Sequence, residues 1–456
     1  MPNINHSGYI NLKENKHIAY DLTDGKVTIH MYEAISEIDN NNIVLGQSFD
    51  NKTYAMFSQL PLDIGEHHLF PINYSFQVDW VIENYKVGSK FKEAIFSFSE
   101  LQYFCPSTGI IEEKESQKIT FKREQIIIKE FTFEFLGYKC NAAFKVGSKG
   151  KIRTSNSYMQ AESVLCISFD ETEDIDFIYR LYGVVDAVFS FICNRRNTDC
   201  TYMNLLVTYP DKTIDGHKIV DCVRNTTSHA YFYNKYREEV ESEKIISKTF
   251  SAAPFLMHID DLFALVAKDA ECDTSDSATI SIASMHPSIK RRRLIDLQQS
   301  LQITGAFEFY VRRYLPEMVE EKEHHVAIKL ILEDVSKNKN LSKKTRKLAD
   351  SLLKNVVREP ALEDKISKAY FGFESWKPLE SCIDAEWISS DEVKELAKEA
   401  NLWRNELAHS KRSYEPNVRT IKAVRLMEHL NYAIVLRYIG YNDEEIRNLL
   451  KEILEH

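Results

Sequence analysis

Alternation dominates the first third of the chain. Lys26–Tyr32 (KVTIHMY), Ala94–Phe104 (AIFSFSELQYF), Lys118–Lys122 (KITFK) and Ile126–Phe135 (IIIKEFTFEF) put apolar side chains at every second position, and Val164–Phe169 (VLCISF) closes the series. Successive side chains of a strand point to opposite faces, so a period of two marks a strand with one face buried. The runs are rich in Ile, Val, Phe and Tyr, which suit a pleated surface. Turn-forming clusters such as Asp39–Asn42 (DNNN) and Val146–Lys151 (VGSKGK) separate them. Many short strands between turns predict a β-sandwich or an open barrel over residues 1–165.

The period then lengthens. Asp174–Cys193 (DIDFIYRLYGVVDAVFSFIC) repeats apolar residues at helical spacing and predicts a well-buried helix. Tyr202–Tyr209 and His217–Val223 flank Asp215–Gly216, a hairpin signal, and Ala230–Asn234 reads as another strand. Phe255–Ala270 returns to helix. Residues 166–285 therefore read as a mixed α/β connecting region packed on the β-rich one.

From Pro287 onward the strand pattern disappears, and residues 286–456 predict an all-α domain. Ser288–Met318 is a long helical pattern with a break near Gly305. His324–Val335 and Ser342–Val357 give two more helices, the second capped by Ser342. Ser389–His409 follows, with Ser390 as its cap and acidic residues suited to its positive end. Glu415–Gly440 places Pro416 in its first turn and Gly440 at its end, and Asn442–His456 closes the chain. The fold class is α+β: a β-rich N-terminal part, a mixed middle segment and a helical bundle.

Composition narrows the class. A chain of 456 residues exceeds one core, and no apolar run reaches 18 residues, so no membrane contact through a spanning helix is expected. The first residues lack the basic-then-apolar order of a signal peptide. Eight scattered cysteines, none in a C-x-x-C pair, read as reduced and mostly buried thiols of a cytoplasmic protein, with no zinc site expected. Net charge is −10 but uneven: residues 286–456 hold 30 Lys+Arg against 28 Asp+Glu (+2), leaving 28 against 40 (−12) for residues 1–285. Phosphates need cationic contacts, so the acidic part is a poor nucleic-acid surface.

One stretch breaks its own pattern. Asn401–Ser410 (NLWRNELAHS) sets Arg404, Asn405 and His409 within six residues of an otherwise apolar helix. Asn405 and His409 are four apart and share a face, whereas Arg404 and His409 are splayed by about 140° on a regular helix. The residue types suit RNA scission. The 2′-hydroxyl is a built-in nucleophile; histidine titrates near neutrality and can move its proton. Arginine stays charged and can grip two phosphate oxygens. Asparagine can orient either group. This chemistry needs no metal and no cofactor.

RNELAH, on the penultimate long helix of an all-helical region, resembles the R-x4–6-H motif of HEPN domains, in which a polar residue follows the arginine, as Asn405 does here. A β-rich region ahead of such a domain is similar to the layout of anti-phage HEPN proteins of the ApeA group, and Leu436–Leu450 fits that pattern. The resemblance implies a metal-independent endoribonuclease that cuts tRNA or other structured RNA, acting in abortive infection. It implies a homodimer through the helical domain, each subunit supplying Arg404, Asn405 and His409 to one cleft. Pairing would also relieve the splay, with Arg404 of one chain serving the partner's His409. The β-rich region would then be a recognition or regulatory module answering a phage-derived trigger. The alternative is a non-catalytic sensor whose helical domain dimerises or docks a partner.

Lys411 and Arg412, directly after His409, are candidate RNA contacts. Arg291–Arg293 and Lys337–Lys347 are basic runs that read first as solvated helix faces. Trp403 reads as core and Glu406 as a solvent-facing or cation-paired side chain. The tandem pairs His67–His68 and His324–His325 point apart along a strand or helix and do not chelate by themselves.

Overall fold

In the computed structural model most of the alternating stretches join one antiparallel sheet of thirteen strands, and Lys118–Phe121 pairs apart from it. The structure describes residues 4–11, 17–32, 43–58, 71–107, 111–114, 118–121, 125–151, 158–194, 198–215, 218–233, 252–271, 297–315, 323–356, 361–372, 392–408 and 417–454. Two units divide the chain, residues 1–193 with 197–271 and residues 194–196 with 272–456. The expected α+β division is the one observed: strands dominate the first unit, and the second is helical.

The first unit contains β1 (His6–Asn11), β2 (His17–Thr23), β3 (Lys26–Met31), β4 (Ile43–Ser48), β5 (Thr53–Phe57), β6 (Ile72–Gln77), β7 (Trp80–Glu83), β8 (Lys90–Phe96), β9 (Ile111–Lys114), β10 (Lys118–Phe121), β11 (Ile126–Phe135), β12 (Tyr138–Lys151), β13 (Tyr158–Thr172), β14 (Tyr202–Asp215) and β15 (Lys218–Phe232). Strand order in the large sheet is β11-β12-β13-β8-β14-β15-β7-β5-β4-β1-β2-β3-β6, and β9 and β10 pair separately. The sheet crosses residue 165 without interruption, since β13 pairs with both β12 and β8. Four described helices accompany it: α1 (Ser99–Phe104), α2 (Ile175–Ile192), α3 (Ala252–Phe255) and α4 (Ile259–Glu271).

Two apolar layers hold this unit. At the β1–β6 end, alternate residues Tyr20, Leu22, Val27, Ile29 and Met31 are buried together with Met56 and Val81. At the β11–β13 end the aromatic side chains meet helices. Phe263 of α4 packs between Phe131 and Phe133 at 5.0 and 5.3 Å, and Phe177 of α2 lies 4.3 Å from Tyr138. Rings at these separations add about 0.5–1.5 kcal/mol per pair beyond their area. Asp174 caps α2 by accepting the Phe177 N–H at 3.1 Å. Asp24 and Gly25 make the β2–β3 turn with positive φ, and a Cβ at Gly25 would lie 2.5 Å from the Tyr233 ring.

Two strand expectations are corrected. Ala94–Phe104 is a strand only to Phe96; Ser99–Phe104 is helix α1, because Leu101 and Phe104 bury on one helical face. The two short strands expected between 217 and 234 are parts of one, β15, which pairs along the length of β14 from Tyr231 to Lys218. The polar middle of β15, Arg224–Thr227, concealed that continuity because its side chains are mostly exposed.

The helical unit contains α5 (Leu297–Tyr314), α6 (Glu323–Lys337), α7 (Lys343–Val356), α8 (Leu362–Gly372), α9 (Val393–Ala408), α10 (Val418–Tyr438) and α11 (Asp443–Leu454). α10 is its centre, buried from Val424 to Leu436 except at Arg425. It packs on α5, α9 and α11, while α6 and α7 pack on each other. The break expected at Gly305 is absent. Ile303, Ala306, Phe307, Tyr310 and Val311 bury one continuous face, which outweighs the roughly 1 kcal/mol that a mid-helix glycine costs. The cap of α10 is Asn417, in a capping box with Thr420, so the helix begins after the Pro416 that the sequence placed in its first turn. α9 begins at Val393; Ser390, its expected cap, and Pro416 lie outside the described residues. No described helix is long and apolar enough to cross a membrane.

Candidate functional site

Helix α9 buries Val393, Leu396, Ala397, Ala400 and Trp403 at spacings of three and four, the stripe by which it packs on α8 and α10. Arg404 continues the Ala397–Ala400 ladder one turn further on, at the edge of this stripe. Its stem therefore lies along apolar surface while its side chain keeps 42% of its exposure. Trp403 beside it is 2% exposed, the core position its apolar ring calls for.

The guanidinium is held from a second helix. Nη2 of Arg404 lies 3.5 Å from Oε2 of Glu308 on α5, and Nη1 lies 3.4 Å from Oδ1 of Asn405. The other oxygen of Glu308 lies 4.0 Å from Nζ of Lys365 on α8. Lys365 is 1% exposed and Glu308 20%. Two cations from α8 and α9 thus flank one carboxylate from α5. A buried ammonium is costly without an opposite charge, so Glu308 offsets the desolvation of Lys365 and also sets where Arg404 points. The trio retains one net positive charge beside an accessible guanidinium, an arrangement suited to a phosphate.

Neither Glu308 nor Lys365 was singled out from the sequence. Lys365 carried a readable signal: Leu362, Ile366, Ala369 and Tyr370 define the buried face of α8, and Lys365 occupies that same face. A lysine in core phase needs a carboxylate partner. Which carboxylate it meets depends on how α5 and α8 pack. Lys398, by contrast, pairs locally with Glu395 at 3.0 Å on the surface of α9.

Of the expected site residues, Arg404 and Asn405 are described and adjacent. His409, Lys411 and Arg412 lie outside the described residues, as do Arg291–Arg293 and His67–His68. The positions bounding residues 409–416 are fixed: α9 runs to Ala408, and Asn417 caps α10. These helices are tied together where Glu399 accepts the Thr420 hydroxyl at 2.7 Å and the Asn417 amide at 3.5 Å.

Another histidine in this unit has a different character. His429 on α10 is buried, and its Nδ1 donates to the Arg425 carbonyl oxygen at 2.7 Å. Burial holds its pKa below the ordinary value, against the opposing pull of Glu428. Glu428, also buried, pairs with Arg425 at 2.5 Å. This is an ionic element of the core.

In the first unit Cys105 and Cys140 are free, buried thiols pushed up to about 12 by desolvation. Such thiols are poor nucleophiles. Among the described residues, no group of three or more His, Cys, Asp or Glu side chains is placed to hold a metal ion.

Comparison with known proteins adds one finding. Residues 301–445 match the family model described as Apea-like HEPN, a span that runs from α5 into α11 and includes Glu308, Lys365, Arg404 and Asn405. Neither the curated proteins nor the solved structures contain a match to the chain.

Proposed function

We propose that this chain, whose C-terminal unit is an Apea-like HEPN domain, is an endoribonuclease that cuts RNA by attack of the 2′-hydroxyl on the adjacent phosphate. HEPN domains are generally nucleases, typically bind RNA and dimerise, which sets the class of the reading. The observation that carries it is the half-exposed guanidinium of Arg404, aimed by Glu308 at the C-terminal end of α9, immediately before Asn405 and five residues before His409.

In the proposed reaction the 2′-oxygen forms a bond to phosphorus and its proton passes to the His409 imidazole. Negative charge grows on the phosphorane oxygens, where Arg404 binds it. The bond from phosphorus to the 5′-oxygen then breaks, and that oxygen takes up a proton. The products are a 2′,3′-cyclic phosphate and a 5′-hydroxyl. Asn405 orients the phosphate or the imidazole. Glu308 is a positioning residue that acts through Arg404. Lys411 and Arg412 add phosphate contacts. The reaction as written uses no metal.

The proposal extends to a homodimer formed through the helical unit, with two Arg/His sets in one cleft, and to tRNA or another structured RNA as substrate. The β-rich unit serves as a recognition or regulatory module, and the cellular role is abortive anti-phage defence. Incubating the purified protein with total RNA in EDTA tests the chemistry. Cleavage that survives chelation and is lost in Arg404→Ala and in His409→Ala supports it. Wild-type cutting rates in either folded variant would remove the assignment. No cleavage by the wild-type protein, with the trigger supplied, would favour a non-catalytic docking role.

A further inference from the structure

The closed end of the α6–α7 hairpin carries charge that folding does not explain. Between Asp334 and Asp350 the chain holds Lys337, Lys339, Lys343, Lys344, Arg346 and Lys347 and not one carboxylate. They occupy the last turn of α6, the connection, and the first two turns of α7. Lys337 is held by Glu333 one turn back, at 3.2 Å. Lys339, Lys343, Lys344 and Lys347 are exposed and make no ion pair among the described residues.

These four cations oppose local stability. Lys343 and Lys344 lie in the first turn of α7, where the field of the helix disfavours positive charge. All four lie close along the chain, where like charges repel at ordinary ionic strength. The scaffold under them is nonetheless built. Asn338 accepts the Asn340 N–H at 3.0 Å through its side chain and the Leu341 N–H at 3.2 Å through its carbonyl. Ser342 caps α7 by accepting the Thr345 N–H at 3.1 Å. The charges are presented on a defined turn in a protein whose overall charge is −10.

We propose that this end of the hairpin is a docking surface for the phosphate backbone of RNA, one that supplies affinity and takes no part in bond breaking. The inference rests on the RNA-cutting reading of the same unit. α6 and α7 contain no Phe, Tyr or Trp, so they offer no aromatic platform for stacking bases. Both helices also expose aliphatic side chains, among them Leu330, Ile331 and Leu348, and the vesicle arm of the test below addresses these. Recognition is therefore by backbone charge and is indifferent to sequence.

The test uses the full chain with Arg404→Ala to prevent cutting, with and without Lys339→Gln, Lys343→Gln, Lys344→Gln and Lys347→Gln together. Binding of a labelled structured RNA is followed by fluorescence anisotropy across a salt series. Affinity should fall at least about tenfold, and the slope of log K against log salt should flatten by about three to four. The four Lys→Arg changes should retain affinity. In the cutting-competent background the Lys→Gln set should raise KM and leave kcat alone. A folded Lys→Gln variant with unchanged RNA affinity and salt slope overturns the inference. So does retained RNA binding with lost binding to phosphatidylserine vesicles, which would reassign the surface to membranes. Because the wild-type protein is assayed alongside, an absence of any RNA cutting marks failure of the nuclease reading, whereas cutting with unchanged binding marks failure of the hairpin alone.

Discussion

Arg404 and Lys365 are cations held by a carboxylate; the four hairpin lysines make no ion pair among the described residues. Both sets belong to one helical unit. Around Glu308 a pair of distances, 3.5 and 4.0 Å, limits where the positive charge can be. At the hairpin the charge is mobile on long stems and is felt over roughly a Debye length of 8–10 Å. Opposite-charge partners lower net charge and raise positional accuracy. Unpaired clusters do the reverse. Reaction chemistry profits from accuracy and capture profits from reach, so the two sets should separate in kinetic constants.

The largest effect should come from Arg404. Arg404→Ala is expected to lower kcat by about 10²–10³, the usual cost of removing one group that binds charge developing in the transition state. Arg404→Lys should recover only part of it, because an ammonium lacks the two-pronged grip. Glu308→Gln comes next, with a loss of about ten- to a hundredfold in kcat and little change in KM, since it moves Arg404 without touching RNA. A Glu308 variant that raised KM and spared kcat, as the hairpin variant should, would dissolve the distinction. Glu308→Ala should also cost about 1–3 kcal/mol in urea unfolding, because Lys365 is then buried without this partner. Pairing it with Lys365→Met should restore most of that.

Smaller effects sharpen the same contrast between buried and exposed charge. His429 is buried with its pKa lowered, so below its ordinary value near 6.5 the unfolded chain takes up the proton first. Stability of the helical unit should then fall as the pH drops under about 6.5, by at most about 1.4 kcal/mol per pH unit, and should be insensitive to this group above that value. His429→Gln should flatten that slope in denaturation curves measured from pH 7.5 to 5. Smallest of all, Lys343→Gln with Lys344→Gln should raise stability by a few tenths of a kcal/mol, by relieving charge at the start of α7. A loss of stability there would mean that the lysines have structural partners.

Much of this was readable from residue order. The period-two runs at Lys26–Met31 and Ile126–Phe135 became strands, and the helical spacing of Asp174–Cys193 became α2. Helical spacing was expected from Pro287 onward, and the family match covers residues 301–445. Ala94–Phe104 failed because a strand and a short helix can share an apolar pattern over ten residues, and only packing against the sheet separates them. Gly305 failed because a propensity cost is small beside a continuous buried face. Arg404 and Asn405 stood out because polar residues interrupt an apolar stripe, a signal independent of tertiary contacts.

By itself the sequence determined the local quantities: periodicity, the Ser342 cap, the uneven charge, and the place on a helix where Arg404 and Asn405 fall. Each follows from residues within a few positions of one another. Tertiary structure decided the partners, with Glu308 96 residues from Arg404 along the chain and Lys365 57 residues from Glu308. Among the described residues it also left Lys339, Lys343, Lys344 and Lys347 without an ion pair. Coulomb and packing energies depend on distance in space, and once helices fold back on each other that distance is no longer set by separation along the chain.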